Sequence, residues 1–277
     1  MMLKGKVAIV YGAGGSIGSA VARAYAREGA RVFLAGRSRD ALDAVRQQIA
    51  AARAGADADA GAGADACEAT EVHVLDVLDE PALAAHMRTV ATRAGRIDIV
   101  FDAVGVDCER MLGVALTEIE LERFELPLRA YTSGWFLIAR LAARHMIPNG
   151  TGVIMTMSAL PARTGTPLNG GYGPAQAAKE AMTRDLSHEL ARHGVRVLAL
   201  RPHGVPDSRT MRRVYELKAQ PAGMSWEQFV AFLGGTNHAR RGSTPDEVAE
   251  TAAFLASERA SGMTGTTVNL TMGSLDD

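Results

Sequence analysis

The sequence predicts one doubly wound α/β domain, a Rossmann-like parallel sheet with helices on both faces, over residues 1–277. Three observations predict it. Apolar runs of strand length alternate with stretches of helical period, a rhythm that builds a parallel sheet covered on both sides. The first apolar run ends in a cluster of glycines that opens directly into a helical stretch. The chain has 277 residues, 47% of them hydrophobic, which suffices to bury one large core.

Taken in order, Lys6–Tyr11 (KVAIVY) reads as a strand and Ile17–Glu28 as a helix. Arg31–Ala35 is the second strand and Arg39–Arg53 the second helix. Glu71–Leu75, the helix Pro81–Ala94 and the strand Ile97–Phe101 follow. Leu121–Met146 reads as one long helical stretch, and Gly152–Met157 and Val195–Leu200 as strands flanking a helix over Pro174–His193. Thr244–Ala256 is a helix that opens Thr-Pro-Asp-Glu, a strong N-terminal signal. Thr266–Leu270 is the closing strand. Right-handed crossovers between such strands wind the sheet in both directions from its middle. Two regions depart from the rhythm. Residues 50–66 are almost entirely Ala, Gly and Asp, and are expected to form a flexible loop. Residues 206–242 carry two prolines and several glycines around short helical pieces, and are expected to cover a site as a lid.

Several classes of function are disfavoured. A formal net charge of −1 offers no basic face for nucleic acid. No apolar run is long enough to predict a membrane span, and the N-terminal run is too short for a secretory leader. Two lone cysteines, Cys67 and Cys108, fit a reducing compartment, so a cytoplasmic protein is expected. The histidines do not cluster like metal ligands, and no metal is expected.

The informative segment is Gly12-Ala13-Gly14-Gly15-Ser16-Ile17-Gly18, set between a strand and a helix. Glycines let the backbone approach a phosphate, and the helix N-terminus supplies free N–H groups and a positive dipole. This context predicts a dinucleotide site. The second strand runs into Arg37-Ser38-Arg39, with no acidic residue to hold a ribose 2′-hydroxyl. Arg37 and Ser38 suit a 2′-phosphate instead, so NADP(H) is the expected cofactor.

With these residues in view, the chain resembles the short-chain dehydrogenases/reductases over nearly its whole length. The family's T-G-x-x-x-G-x-G turn matches Tyr11 to Gly18, with Tyr11 at the Thr and Ser16 at the middle Gly. Asp76-Val77 matches the adenine-contacting acidic site, and Asp102-Ala103-Val104-Gly105 the N-N-A-G stretch. Arg201-Pro202-His203-Gly204-Val205 matches the P-G stretch beside the nicotinamide, with His203 at the Gly, and Met263-Thr264-Gly265-Thr266-Thr267 the C-terminal turn. The resemblance implies cofactor contacts from the glycine turn, Arg37, Ser38, Asp76, Val77, Ala103, Gly105, Gln176, Pro202, His203 and Val205. It also implies a small-molecule substrate and assembly as a dimer or tetramer through the long helices.

The resemblance further implies a catalytic Asn, Ser, Tyr and Lys. Tyr172 matches the Tyr. Gln176 occupies the Lys position, and a neutral amide cannot attract a phenolate as a cation does. Lys179, seven residues after Tyr172, returns to within roughly 20° of the same helix face but about 10 Å further along. A Tyr-to-Lys spacing of seven also occurs in enoyl-acyl-carrier reductases of the superfamily, where the Tyr moves and the Lys stays. Ser158 lies fourteen residues before Tyr172, one more than the usual spacing, which falls on Ala159. Either the loop is one residue longer, or Ser158 substitutes from next door. Tyr131 stands at the Asn. Tyr172, Ser158 and Lys179 are therefore the candidate catalytic residues, with His203 as another candidate to assist Tyr172. The expected activity is NADP(H)-dependent reduction or oxidation of a carbonyl or activated alkene. The altered tetrad leaves two alternatives, a non-redox catalyst (a dehydratase, cyclase or isomerase) and a non-catalytic nucleotide-binding protein.

Overall fold

A computed structural model describes residues 1–60, 70–107, 109 and 111–276. Its centre is a seven-stranded parallel sheet: β1 (Val7–Tyr11), β2 (Arg31–Gly36), β3 (Glu71–Val74), β4 (Ile99–Asp102), β5 (Gly152–Met157), β6 (Val195–Pro202) and β7 (Thr267–Leu270). The spatial order is β3-β2-β1-β4-β5-β6-β7. The chain therefore reverses its winding between β1 and β4, and a crevice opens there at the carboxyl ends of the strands.

The strand sequences are apolar on both faces because both faces are covered. Along β1, Ala8 and Val10 point into one core with α1 (Ser16–Arg27), α2 (Arg39–Ala60) and α9 (Pro245–Ala256). Val7, Ile9 and Tyr11 point into the other, with α3 (Glu80–Ala94) and α5 (Gly134–Met146). Alanines line the first core on both α1 (Ala20, Ala24) and α9 (Ala249, Ala252, Ala253). Small side chains there let the two helices pack closely. Helix α9 starts on a full capping box, with the Thr244 hydroxyl taking the Glu247 N–H and the Glu247 carboxylate taking the Thr244 N–H.

Three elements differ from the sequence expectation. Residues 50–60, expected as loop, continue α2 to Ala60, because alanine has the highest helix propensity and Gly55 alone does not outweigh it. The remainder of that expected loop, residues 61–66, lies outside the described residues. The single helix expected over Leu121–Met146 is instead α4 (Leu121–Pro127), a π-helical turn (Leu128–Ser133) and α5. Pro127 supplies no N–H, and its ring crowds the preceding turn, so the ladder widens where the proline enters. The expected helix over Pro174–His193 begins two residues earlier as α6 (Tyr172–Leu190), followed by a 3₁₀ turn. The expected lid at 206–242 folds as α7 (Arg209–Val214), a π-helical turn (Tyr215–Ala219) and α8 (Trp226–Gly235).

No described helix is long and apolar enough to cross a membrane.

Gly194 ends the 3₁₀ turn after α6 at φ +71°, and a Cβ there would lie 2.1 Å from the Gly150 carbonyl oxygen. Gly194→Val combines a left-handed β-branched residue with that overlap. It is expected to cost about 3 kcal/mol of stability, read as a lower urea midpoint at unchanged slope. An unchanged midpoint would mean that the turn relaxes freely.

Candidate active site

The crevice between β1 and β4 is built by backbone. Gly12 leaves β1 at φ +74°, and a Cβ there would stand 2.4 Å from the Ala103 carbonyl oxygen. A Cβ on Gly18 would meet the Gly12 carbonyl oxygen at 2.3 Å, and one on Gly14 the Ala41 Cβ at 2.8 Å. These three glycines are required by close approach, which folds the turn against β4 and the start of α2. Helix α1 follows with Gly15 as its N-cap, no side-chain cap and no acidic residue in its first turn. Its N-terminal amides and positive dipole end thus remain available to an anion. Ser16 turns its hydroxyl to the start of α7, accepting the Arg209 N–H at 3.3 Å, and Ile17 packs at the edge of the core.

Beneath the turn, Tyr11 is fully buried, and its hydroxyl shares a hydrogen bond of 2.9 Å with His86 Nδ1. Burial raises the Tyr11 phenol well above its usual pKa and pushes the His86 imidazole down to about 3. The pair is therefore neutral across ordinary pH and anchors α3 to the end of β1.

The other expected cofactor residues fall around the same crevice. Arg37 and Ser38 are exposed where β2 ends. Asp76 follows β3, with its carboxylate accepting the Leu78 N–H at 3.0 Å. Val77 is buried beside the start of α5. Ala103 donates its N–H to Tyr11, and Gly105 has open space where a side chain would be. Across the crevice Pro202 ends β6, and Val205 is buried. His203 bonds Thr236 through Nε2 at 3.1 Å, tying the strand end to the end of α8. Burial lowers the His203 pKa, with the Gly204 backbone opposing in part.

Tyr172 is the first residue of α6, and its ring meets Tyr131 edge-on at 5.6 Å between centroids. Tyr131 sits in the π-helical turn and accepts the Val106 N–H on its hydroxyl at 3.2 Å. Met111 and Leu112, with Val106, Val214 and Leu217, form an apolar cluster with the Tyr172 ring. Gln176, one turn into α6, is 2% exposed, and its Oε1 has no hydrogen-bond partner among the described residues. A buried carbonyl oxygen of this kind is costly unless a donor reaches it.

Lys179 is 1% exposed. Its ammonium donates to Asp102 Oδ2 at 3.0 Å, and the Thr156 hydroxyl donates to the same oxygen at 2.7 Å. The Nζ also stands 5.4 Å from the Tyr131 ring centroid, so Tyr131 touches both Lys179 and Tyr172. Ser158 donates its hydroxyl to Glu180 Oε1 at 2.6 Å, and Arg201 grips the same carboxylate through Nε and Nη2 at 2.8 Å each. The structure thus gathers Tyr131, Tyr172 and Lys179, and commits the polar atoms of Lys179 and Ser158 to buried partners. Sequence reasoning missed Asp102 as the partner of Lys179, missed Glu180, and placed Arg201 in the P-G stretch without its carboxylate partner. The available signal was a charge closing an otherwise apolar strand, in IVFD and again in LALRP.

A second cleft, at the opposite end of the strands, is lined by Lys6, Asp98, Arg196 and Glu258. Lys6 pairs with Glu258, Asp98 accepts the Val7 N–H, and Arg196 donates to two carbonyls.

Comparison with known proteins follows this geometry. A family model described as enoyl-(acyl carrier protein) reductase matches residues 12–274. The uncharacterized oxidoreductase YxbG of Bacillus subtilis is 29% identical over 267 residues, 95% of this chain and 88% of that protein. Momilactone A synthase of Oryza sativa subsp. japonica is 30% identical over 261 residues, 92% of this chain and 85% of that protein. Among solved structures, actinorhodin polyketide ketoreductase with NADPH superposes with a TM-score of 0.86 at 24% identity, covering 98% of both chains. NAD⁺-bound xylitol dehydrogenase gives a TM-score of 0.86 at 24% identity, over 99% of this chain and all of that one. At that identity the two structures speak for the fold.

Asp102→Asn leaves a buried ammonium without its counter-charge. It is expected to destabilise by about 3–5 kcal/mol, and Asp102→Asn combined with Lys179→Met to recover most of the loss, both read from chemical denaturation. A double variant no better than the single would remove the ion pair as the cause.

Proposed function

From the premise that the chain belongs to the short-chain dehydrogenase/reductase family, we propose that it is an NADP(H)-dependent oxidoreductase acting on a carbonyl or activated alkene of a small organic substrate. One arrangement carries the reading: Tyr172 opens α6, and one turn on lies Gln176, buried, with an Oε1 that no described residue satisfies. A ribose hydroxyl is a donor of the kind that Oε1 lacks. The glycine turn suits a dinucleotide as well, since it leads into a helix N-terminus with no side-chain cap and no acidic residue in its first turn.

When bound, the nicotinamide supplies the hydride. The protein supplies the rest. Tyr172 gives or takes the proton at the substrate oxygen or carbon, as a positioned general acid or base. Met111 and Leu112 set apolar atoms beside its ring, backed by Val214 and Leu217, and keep water from the proton transfer. Gln176 orients the nicotinamide ribose through its carbonyl. Lys179 and Ser158 act by position in this reading. The first ties α6 to β4, and the second ties the end of β5 to the Glu180–Arg201 pair. Arg37 and Ser38, exposed beside the crevice, take the 2′-phosphate.

Two measurements test this. NADPH is expected to bind roughly ten- to a hundredfold more tightly than NADH, and Arg37→Ala to abolish the difference. Tighter NADH binding would reverse the cofactor assignment. In a screen of carbonyl compounds and activated alkenes followed by NADPH absorbance, Tyr172→Phe is expected to lower kcat roughly 10²- to 10⁴-fold. Undiminished turnover in that variant would take Tyr172 out of the proton transfer.

A further inference from the structure

The lid places a cation on the cofactor turn. Arg209, the first residue of α7, donates its backbone N–H to Ser16 Oγ at 3.3 Å, and its guanidinium Nη2 reaches the Gly14 carbonyl oxygen at 3.4 Å. The segment leading to it is held rigidly. The Ser208 hydroxyl accepts the Met211 N–H at 3.1 Å and donates to the Val205 carbonyl at 2.7 Å, which binds the start of α7 to the end of β6.

The electrostatics of this contact are unbalanced. The guanidinium lies beside the N-terminus of α1, which carries a positive dipole end, no side-chain cap and no acidic residue in its first turn. Among the described residues Arg209 has no carboxylate partner. Its one side-chain hydrogen bond is long, exposed and made to a neutral carbonyl, which leaves most of its five donors to solvent. A full charge set against a like-signed helix end is unfavourable until an anion enters between them. Gly12, Gly14 and Gly18 pack this turn tightly on Ala103, Ala41 and its own backbone, which holds the Gly14 carbonyl and the start of α1 in place.

We propose that Arg209 is a ligand of the dinucleotide's diphosphate bridge, clamping it from the lid against the N-terminus of α1. The assignment rests on the cofactor reading above and adds a residue to it. Arg37 meets the 2′-phosphate at one end of the nucleotide, whereas Arg209 meets the bridge in its middle. The two contributions are therefore separable by ligand.

The test compares dissociation constants, by calorimetry, for NADPH, NADH, ADP and adenosine 2′-phosphate on the full-length protein and on Arg209→Gln and Arg209→Lys. Arg209→Gln is expected to weaken NADPH, NADH and ADP by roughly tenfold or more, and to leave adenosine 2′-phosphate unchanged. Arg209→Lys is expected to fall between, keeping the charge and losing the fork. Arg209 is exposed, and an unchanged thermal midpoint in Arg209→Gln establishes that the fold is intact. Equal ADP affinity in wild type and Arg209→Gln would overturn the assignment, as would an equal loss for adenosine 2′-phosphate. Wild-type protein that binds none of the four would instead bring down the cofactor reading, and this assignment with it.

Discussion

Consecutive residues of α6, Lys179 and Glu180, carry opposite charges into the interior. Lys179 reaches Asp102 at the end of β4, and Glu180 reaches Arg201 near the end of β6. Thr156 and Ser158, two residues apart around the end of β5, add their hydroxyls to the first and second carboxylate. Helix α6 is thereby fastened to three adjacent strands near their carboxyl ends. Taking charges out of water costs several kcal/mol for each ion, so the net contribution of such pairs to stability is small. Their effect here is on register. An apolar helix face tolerates sliding by a turn, whereas two charge pairs of opposite polarity allow one position along the sheet. Tyr172 and Gln176 inherit that position.

The cofactor turn and the reaction centre are constrained in different ways. In the turn, the needed property is close backbone packing: three glycines let it fold against Ala103, Ala41 and its own carbonyl, and helix α1 presents amides that belong to every residue type. The side chains around it are engaged elsewhere, Tyr11 with His86 and Ser16 with the first residue of α7. The proposed reaction centre depends on named side chains: Tyr172 opens α6 with the Tyr131 ring against it, Gln176 lies one turn on, and the buried Lys179–Asp102 pair follows.

Much of this was legible in the sequence, and the failures have physical causes. The strands, the glycine turn and Tyr172 are local in character: periodicity, backbone freedom and one residue type announce them. The end of α2 was misread because alanine is at once low in complexity and strongly helical. The π-helical turn was hidden because an apolar period continues through Pro127 while the backbone widens beneath it. Lys179 and Ser158 were identified as residues of interest but not by their partners. Asp102 lies 77 residues from Lys179, and Glu180 lies 22 from Ser158, so neither contact leaves a local trace. Arg209 escaped notice for the same reason, since its contacts belong to the first turn of the chain.

The pairing of Lys179 with Asp102 also bears on how this region can be altered. A carboxylate at 102 without the ammonium, or the ammonium without the carboxylate, passes through a buried unpaired charge, so neither change is easily made first. Positions 102 and 179 are therefore inherited as a pair, and any redesign of the buried face of α6 must replace both in one step.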